Sequence, residues 1–441
     1  MIRFVKQKRI LLYFILAIVL FIYFVIQFPN LEHSFSMGTT GPSDFAMDYI
    51  GANQLLSGKT VYPSNFLKIY TNLLLKHGVI LQKRLTQGSS HYKLNNHHPP
   101  FVDMLLSPFA LLSFKNAAFL YSIVSIICVV LIIVLLLKSE DISLIYFPLI
   151  FLFVLAWPPF HLNLFYGQIS ILVTLFVTLA WFSYKKKHET ILGIFIAFAT
   201  MLKFYPGLLI IYLLIDKKYK ALLTSIITII GILVLTLILT KYNLFRLFFY
   251  IAPKHVEFFD ADLGTFSIND FFSKLFLPMR SFNNTTALTI FVSPFLKNIL
   301  FYISVGSLLF YLVLNIKKYT DDLGFSLFVI LSLLLSPICF DHYFTLLLIP
   351  FVILMNELVK KPNTFEIIIF IVSLLFISVD EYSVYFGKAI YITHLYLLGN
   401  HSSFIDTLTF YSLQFYGILL LLFLNFRMIK KYNKTITQQT I

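Results

Sequence analysis

Long runs without a charged residue alternate with short polar or basic segments along the chain. The first run, ILLYFILAIVLFIYFVIQF at 10–28, has the roughly 20 residues that a helix needs to cross hydrocarbon. It exceeds the apolar core of a cleaved leader, and no small-residue cleavage site follows, so it reads as a retained anchor. Comparable runs lie at 117–137, 142–157, 169–184, 221–240, about 294–314, 323–335, 344–355, 365–379 and 411–426. Residues 101–113 are too few to cross comfortably and read as re-entrant or interfacial.

Basic clusters punctuate these runs: MIRFVKQKR, LLLKSED, SYKKKHE, DKKYK, NIKKY, VKKP and RMIKKYNK. Cytoplasmic loops carry such an excess of Lys and Arg, so each pair of clusters is joined by an even number of crossings. Between KKK and KKYK there is only ILGIFIAFATMLKFYPGLLIIYLLI, one span's length, which a single straight helix cannot satisfy. Lys203 followed by Tyr205-Pro206 marks the place for a break, because proline removes a backbone donor and disfavours helix in the residue before it. Two half-length helices meeting at Lys203 are expected, with irregular backbone lining a polar cavity. The predicted fold is an all-α integral membrane protein, a polytopic helical bundle of about eleven to twelve passes with helical extracytoplasmic loops. It forms one domain over 1–441, with the first transmembrane helix at 10–28 and a first extracytoplasmic loop at 29–98. The remaining bundle occupies 99–428 and a cytoplasmic tail 429–441, so both termini face the cytoplasm.

Composition agrees with this class: 59% of the 441 residues are hydrophobic, 12% are charged and mean hydropathy is +0.85. A net charge of +14 would point to nucleic acid in a soluble protein, but here it is the positive-inside pattern, and no nucleic-acid partner is expected. Cys128 and Cys339 lie far apart in or beside apolar segments, which indicates neither a disulfide framework nor a thiolate metal site.

The topology sends the polar exceptions to one face, extracytoplasmic. They are Asp44 and Asp48, the turn His97-His98-Pro99-Pro100, Gly167-Gln168, Lys203, Ser267 to Asp270 with Asn269, and Asp341-His342. Ionisable residues at membrane level are costly and line cavities, so their convergence marks a site. Asp44, just after Pro42-Ser43, suits either a helix N-cap or a general base. Asp48 lies one turn along the same helix face. Gln168 suits a turn that caps the next helix, and Lys203, which could otherwise snorkel, lies beside the expected helix break where a polar cavity is expected. Spacing matches no zinc motif, and HExxH, paired cysteines and GxxxxGK[ST] are all absent from the sequence, so neither metal nor cofactor is expected.

Taken in order, SDFAMDYIGANQLLSGKTVY, HHPPFVDMLLSPFALL, YGQISILVTLFVTLAW, GIFIAFATMLKFYPGLL, FSINDFFSKLF and LLSPICFDHYFTLLLIPFVIL resemble the motifs of a known family. The family is the bacterial membrane glycosyltransferases of family 87, within the C-type superfamily that takes sugar from polyprenyl phosphate. The resemblance implies a C-type glycosyltransferase-like bundle that transfers a hexose, mannose by the family's habit, to an extracytoplasmic glycan or glycolipid. It identifies Asp44 as the catalytic base of an inverting displacement and His342, with Lys203, as contacts of the donor phosphate. Asp48, His97, His98, Gln168, Asn269 and Asp341 fall where weaker substrate contacts would be. His98 departs from the family's more usual Tyr.

The implied partners are the polyprenyl-phosphate-sugar donor, the glycan or glycolipid acceptor and the bilayer, in a bacterial plasma membrane. The competing class is a transporter or flippase of lipid-linked saccharides. Such proteins tend to carry two-fold repeats with paired helix breaks, whereas this sequence has one break near Lys203 and a polar first outer loop of roughly 70 residues.

Overall fold

The computed structural model describes residues 18, 21–36, 43–76, 96–240, 243–262, 264–277, 279–280, 286–287, 292–315, 321–379 and 408–439. The basic clusters at 3–9 and 316–318 and the expected outer segment 380–403 lie outside them.

Helices account for nearly all of the described chain. Helix α1 covers 21–36, and α2 (Ser43–Leu56) and α3 (Phe66–Lys76) follow within the first polar loop. Next come α4 (Pro100–Leu106), α5 (Phe114–Ser139), α6 (Phe147–Ala156), α7 (Pro158–Tyr166) and α8 (Ser170–Lys185). Helices α9 (Glu189–Leu202), α10 (Leu208–Ile215), α11 (Tyr219–Thr240), α12 (Asn243–Phe258) and α13 (Ile268–Phe276) continue the chain. The last are α14 (Pro294–Leu314), α15 (Asp322–Leu334), α16 (Leu348–Lys360), α17 (Thr364–Ile377) and α18 (Leu413–Gln439). One two-residue antiparallel pair, Met279–Arg280 with Thr286–Ala287, interrupts them. Apolar side chains of α5, α8, α9, α15 and α16 form the centre of one continuous core.

Among the described residues, five helices are long and apolar enough to cross a membrane, or six if α6 and α7, bent by 59°, form one span. Five more apolar helices have only 10–17 residues. The expected eleven to twelve passes therefore counted elements shorter than a full crossing.

Three boundaries differ from the sequence reading. Helix α1 continues through Pro29 to residue 36 instead of ending at 28, because its polar face is buried: Asn30 donates to Gln27 at 2.8 Å, and Ser34 meets His161 Nδ1 at 3.3 Å. The segment expected as an outer turn, PPFHLNLFYGQ, forms α7. Its two prolines occupy the first turn, where their missing N–H groups cost nothing. Gly167 ends it at φ 64°, a left-handed conformation open to glycine. Finally, α18 runs on to Gln439, past the expected boundary at 428, since residues 427–439 contain neither Pro nor Gly.

The break at Lys203 is present. Helix α9 stops at Leu202, and Lys203 is extended at φ −146°, ψ 138°. A short 3-10 turn over Tyr205–Gly207 starts the chain on its way into α10.

Candidate active site

The break leaves Lys203 side by side with the start of α8. Its Nζ donates to Gln168 Oε1 and to Ser170 Oγ, both at 3.0 Å, and lies 3.9 Å from the centre of the Tyr343 ring. Tyr343 in turn stacks on Tyr205 at 5.0 Å. Lys203 is 6% exposed, so two oxygens and an aromatic face replace the water that its charge would otherwise need.

Gln168 passes this contact on. Its amide oxygen receives Lys203 and its amide nitrogen donates to Asp44 Oδ2. Its backbone is fixed from both sides, since its N–H donates to Asn163 O at 2.9 Å and its C=O accepts the Tyr121 hydroxyl at 3.0 Å. Asp44 opens α2 and is only partly buried, whereas Phe45 behind it is stacked on Tyr121 at 4.7 Å. The line Asp44, Gln168, Lys203 thus ties α2, α8 and the helix break together.

One turn along α2, Asp48 is 1% exposed and meets His98 Nδ1 at 2.6 Å. Burial pushes the Asp48 carboxyl well above its ordinary range against the opposing pull of Lys203. Burial, reinforced by Lys203, holds His98 well below the imidazole range. Asn96 accepts the His98 backbone N–H at 3.1 Å and donates to Asp103 at 2.7 Å, while the Tyr62 hydroxyl donates to His98 O at 2.8 Å. Asp103 is fully buried, and burial together with the Asp48 charge raises its pKa as well. His97 stacks face to face on His255 of α12, 3.9 Å between ring centres.

His342 begins the turn that leads into α16. Asp341 Oδ1 accepts its backbone N–H at 2.7 Å and lies 3.4 Å from its Nδ1. Its carbonyl accepts Asn163 Nδ2 from α7 at 2.7 Å, and its ring stacks on Phe340 at 5.2 Å. The segment Ser267 to Asp270 holds this turn from the other side. Ser267 and Asp270 form a capping box on α13, and Asp270 Oδ2 also accepts Cys339 N–H at 3.0 Å. Asn269 Nδ2 is engaged by Asp260 at 3.3 Å and by Pro337 O at 3.1 Å, so its amide donor fastens loops together.

Asp44, Asp48, His98, Gln168, Lys203, Asp341 and His342 therefore share one end of the bundle. His97 is placed against His255, and Asn269 acts one layer away, on the turn that carries His342. Sequence reasoning did not single out Ser170, Tyr343, Asp103 or His255. The i, i+2 spacing of Gln168 and Ser170 at a helix start was the one signal available for Ser170. Among the described residues, no three His, Cys, Asp or Glu side chains are grouped to hold a metal ion.

Chemically, the site offers a partly exposed carboxylate next to a buried ammonium, flanked by two histidines that are each braced by an aspartate. A carboxylate so held suits removal of a proton from a hydroxyl, and the cation suits a leaving group that gains negative charge. No curated protein matches the chain. A family model does: the one described as Glycosyltransferase family 87 matches residues 96–337. That is more than half of the chain and includes His97, His98, Gln168, Lys203 and Asn269.

Proposed function

The chain belongs to glycosyltransferase family 87 and is a membrane glycosyltransferase, and from this premise we propose that it transfers a hexose from a polyprenyl-phosphate donor by direct inversion. The acceptor hydroxyl gives its proton to Asp44 while its oxygen attacks the anomeric carbon. The bond from that carbon to the phosphate oxygen breaks, and the electron pair stays on the phosphate. In its protonated form Lys203 supplies positive charge beside the departing phosphate, acting through space because its hydrogens are directed to Gln168, Ser170 and the Tyr343 face. His342, braced by Asp341, lies at the same phosphate. The sugar is mannose in this reading and the acceptor is a glycan or glycolipid on the extracytoplasmic side of a bacterial plasma membrane.

The observation that supports the proposal is the bridge from Lys203 through Gln168 to Asp44, which favours the partly exposed Asp44 over the buried Asp48 as the base. Asp44→Asn keeps the shape and removes the base. With purified protein and polyprenyl-phosphate hexose, transfer is expected to be abolished while donor binding stays near wild type. A fully active Asp44→Asn enzyme would sink the assignment.

A further inference from the structure

The pairing of Asp48 with His98 has no part in the displacement just described, yet it is among the most buried polar pairs in the molecule. Asp48 is 1% exposed and His98 4%. The 2.6 Å contact uses His98 Nδ1. The other ring nitrogen, Nε2, is buried and has no hydrogen-bond partner among the described residues. A buried polar atom without a partner is costly and rare, and at a binding site the partner arrives with the ligand.

The chemistry of the dyad fixes what that ligand atom is. Burial disfavours net charge on the pair, so the two groups hold one proton between them. If the proton sits on Asp48, Nδ1 accepts it and the ring's own hydrogen is on Nε2. If it sits on Nδ1, the ring is an imidazolium and Nε2 again carries a hydrogen. In both forms Nε2 is a donor, so it fits an oxygen that accepts. The surroundings favour an anionic one, since Lys203 is within electrostatic reach of His98. Asp103, the nearby carboxyl on α4, is pushed by burial towards its neutral form. His97 lies beside His98 with ring centres 4.5 Å apart.

We propose that the Asp48–His98 dyad is a phosphate-binding element of the active site, in which His98 Nε2–H donates to a non-bridging oxygen of the donor's phosphate and Asp48 holds the ring. The inference rests on the lipid-phosphate donor proposed above. It supplies the direct hydrogen bond that Lys203, with its own donors directed to Gln168, Ser170 and Tyr343, does not. As the sugar leaves, the electron pair of the broken bond adds charge to the phosphate and the bond from Nε2–H strengthens, while no proton moves on the dyad.

The test uses the full chain in lipid nanodiscs with two probes, a polyprenyl monophosphate and the uncharged polyprenol of the same length. The wild type is expected to prefer the monophosphate. His98→Phe keeps the ring shape and removes the donor. It should weaken monophosphate binding by roughly 10- to 100-fold, the loss expected for a hydrogen bond to a charged group, and leave polyprenol binding unchanged. Unaltered monophosphate affinity in His98→Phe would overturn the dyad's role. A wild type with no preference for the monophosphate would instead defeat the lipid-phosphate reading itself. If His98→Phe does not fold, the double variant Asp48→Leu with His98→Phe removes both partners and leaves no unpaired group, and the same two affinities decide the question.

Discussion

At the scale of single residues, Gln168 is the test of how Asp44, the proposed base, is held. Its two amide ends join an ammonium to a carboxylate, an order only an amide satisfies at this length, because it accepts at one end and donates at the other. Gln168→Met fills a similar volume and breaks both contacts. Two hydrogen bonds to charged groups are lost, at about 1.5–3 kcal/mol each. The expected outcome is a fall in kcat of at least about tenfold with little change in donor KM, read by steady-state kinetics. A Gln168→Met enzyme with wild-type kcat would show that Asp44 is positioned by other means. The types of these residues were legible in the sequence, since Asp44, Gln168 and Lys203 all stood out as polar exceptions in apolar surroundings. Their connection was not, because it joins positions 124 and 35 residues apart and depends on where α2 lies against α7. His255 escaped for a different reason. Its partner His97 is supplied across a turn by another element, and nothing in the local pattern of 243–258 marks it.

At the scale of elements, the local rules held where backbone chemistry is decisive. Pro206 foretold the break at Lys203, and glycine ended α7. They failed where tertiary burial decides, as in α1 running through Pro29 and in α7, a short helix read as a turn although residues 158–164 are all buried. The position of Lys203 depends on α9, and α9 crosses α11 closely enough that Ser225 Oγ donates to Gly193 O at 3.0 Å. A Cβ at Gly193 would lie 2.3 Å from Ala221 O and 2.9 Å from Thr224 Cβ, so the two backbones must separate to admit it. Gly193→Ala is therefore expected to destabilise by about 1–3 kcal/mol, as overpacking does, and to lower the thermal midpoint in detergent. Gly231→Ala on α11 is the control, since its Cβ would meet nothing within 4 Å. It should be neutral or gain up to about 1 kcal/mol from helix propensity. Equal midpoints for the two variants would show that the crossing of α9 and α11 is not tight in the membrane.

At the scale of the whole molecule, α8 separates two chemistries. Its first residue, Ser170, binds Lys203 in the site, and its last, Lys185, lies about 22 Å away by helix rise. Lys185 is paired with Asp322 and lies 3.4 Å from Glu140, which also accepts Asn356 Nδ2 at 2.6 Å. Next to it, Tyr184 donates to Asp216 at 2.9 Å. Glu366, 2% exposed, is held by Arg427 at 3.0 Å and Lys431 at 3.1 Å, and it shares a cavity lining with Glu357, Lys361 and Lys431. Members of five of the basic clusters, those at 138, 185–187, 217–218, 360–361 and 427–431, therefore gather at or beside the end of the bundle away from Asp44. This is the arrangement that the positive-inside rule demands if the site faces outward. The orientation is testable because both native cysteines are buried and give little background. Lys59, exposed beyond the end of α2, precedes Tyr62, which is bonded to His98, whereas Lys187, also exposed, follows α8. On intact cells a membrane-impermeant maleimide should label Lys59→Cys directly and Lys187→Cys only after permeabilisation. The reverse order would place Asp44 and Lys203 on the cytoplasmic side, where nucleotide sugars are available, and would remove the topological reason for a lipid-linked donor.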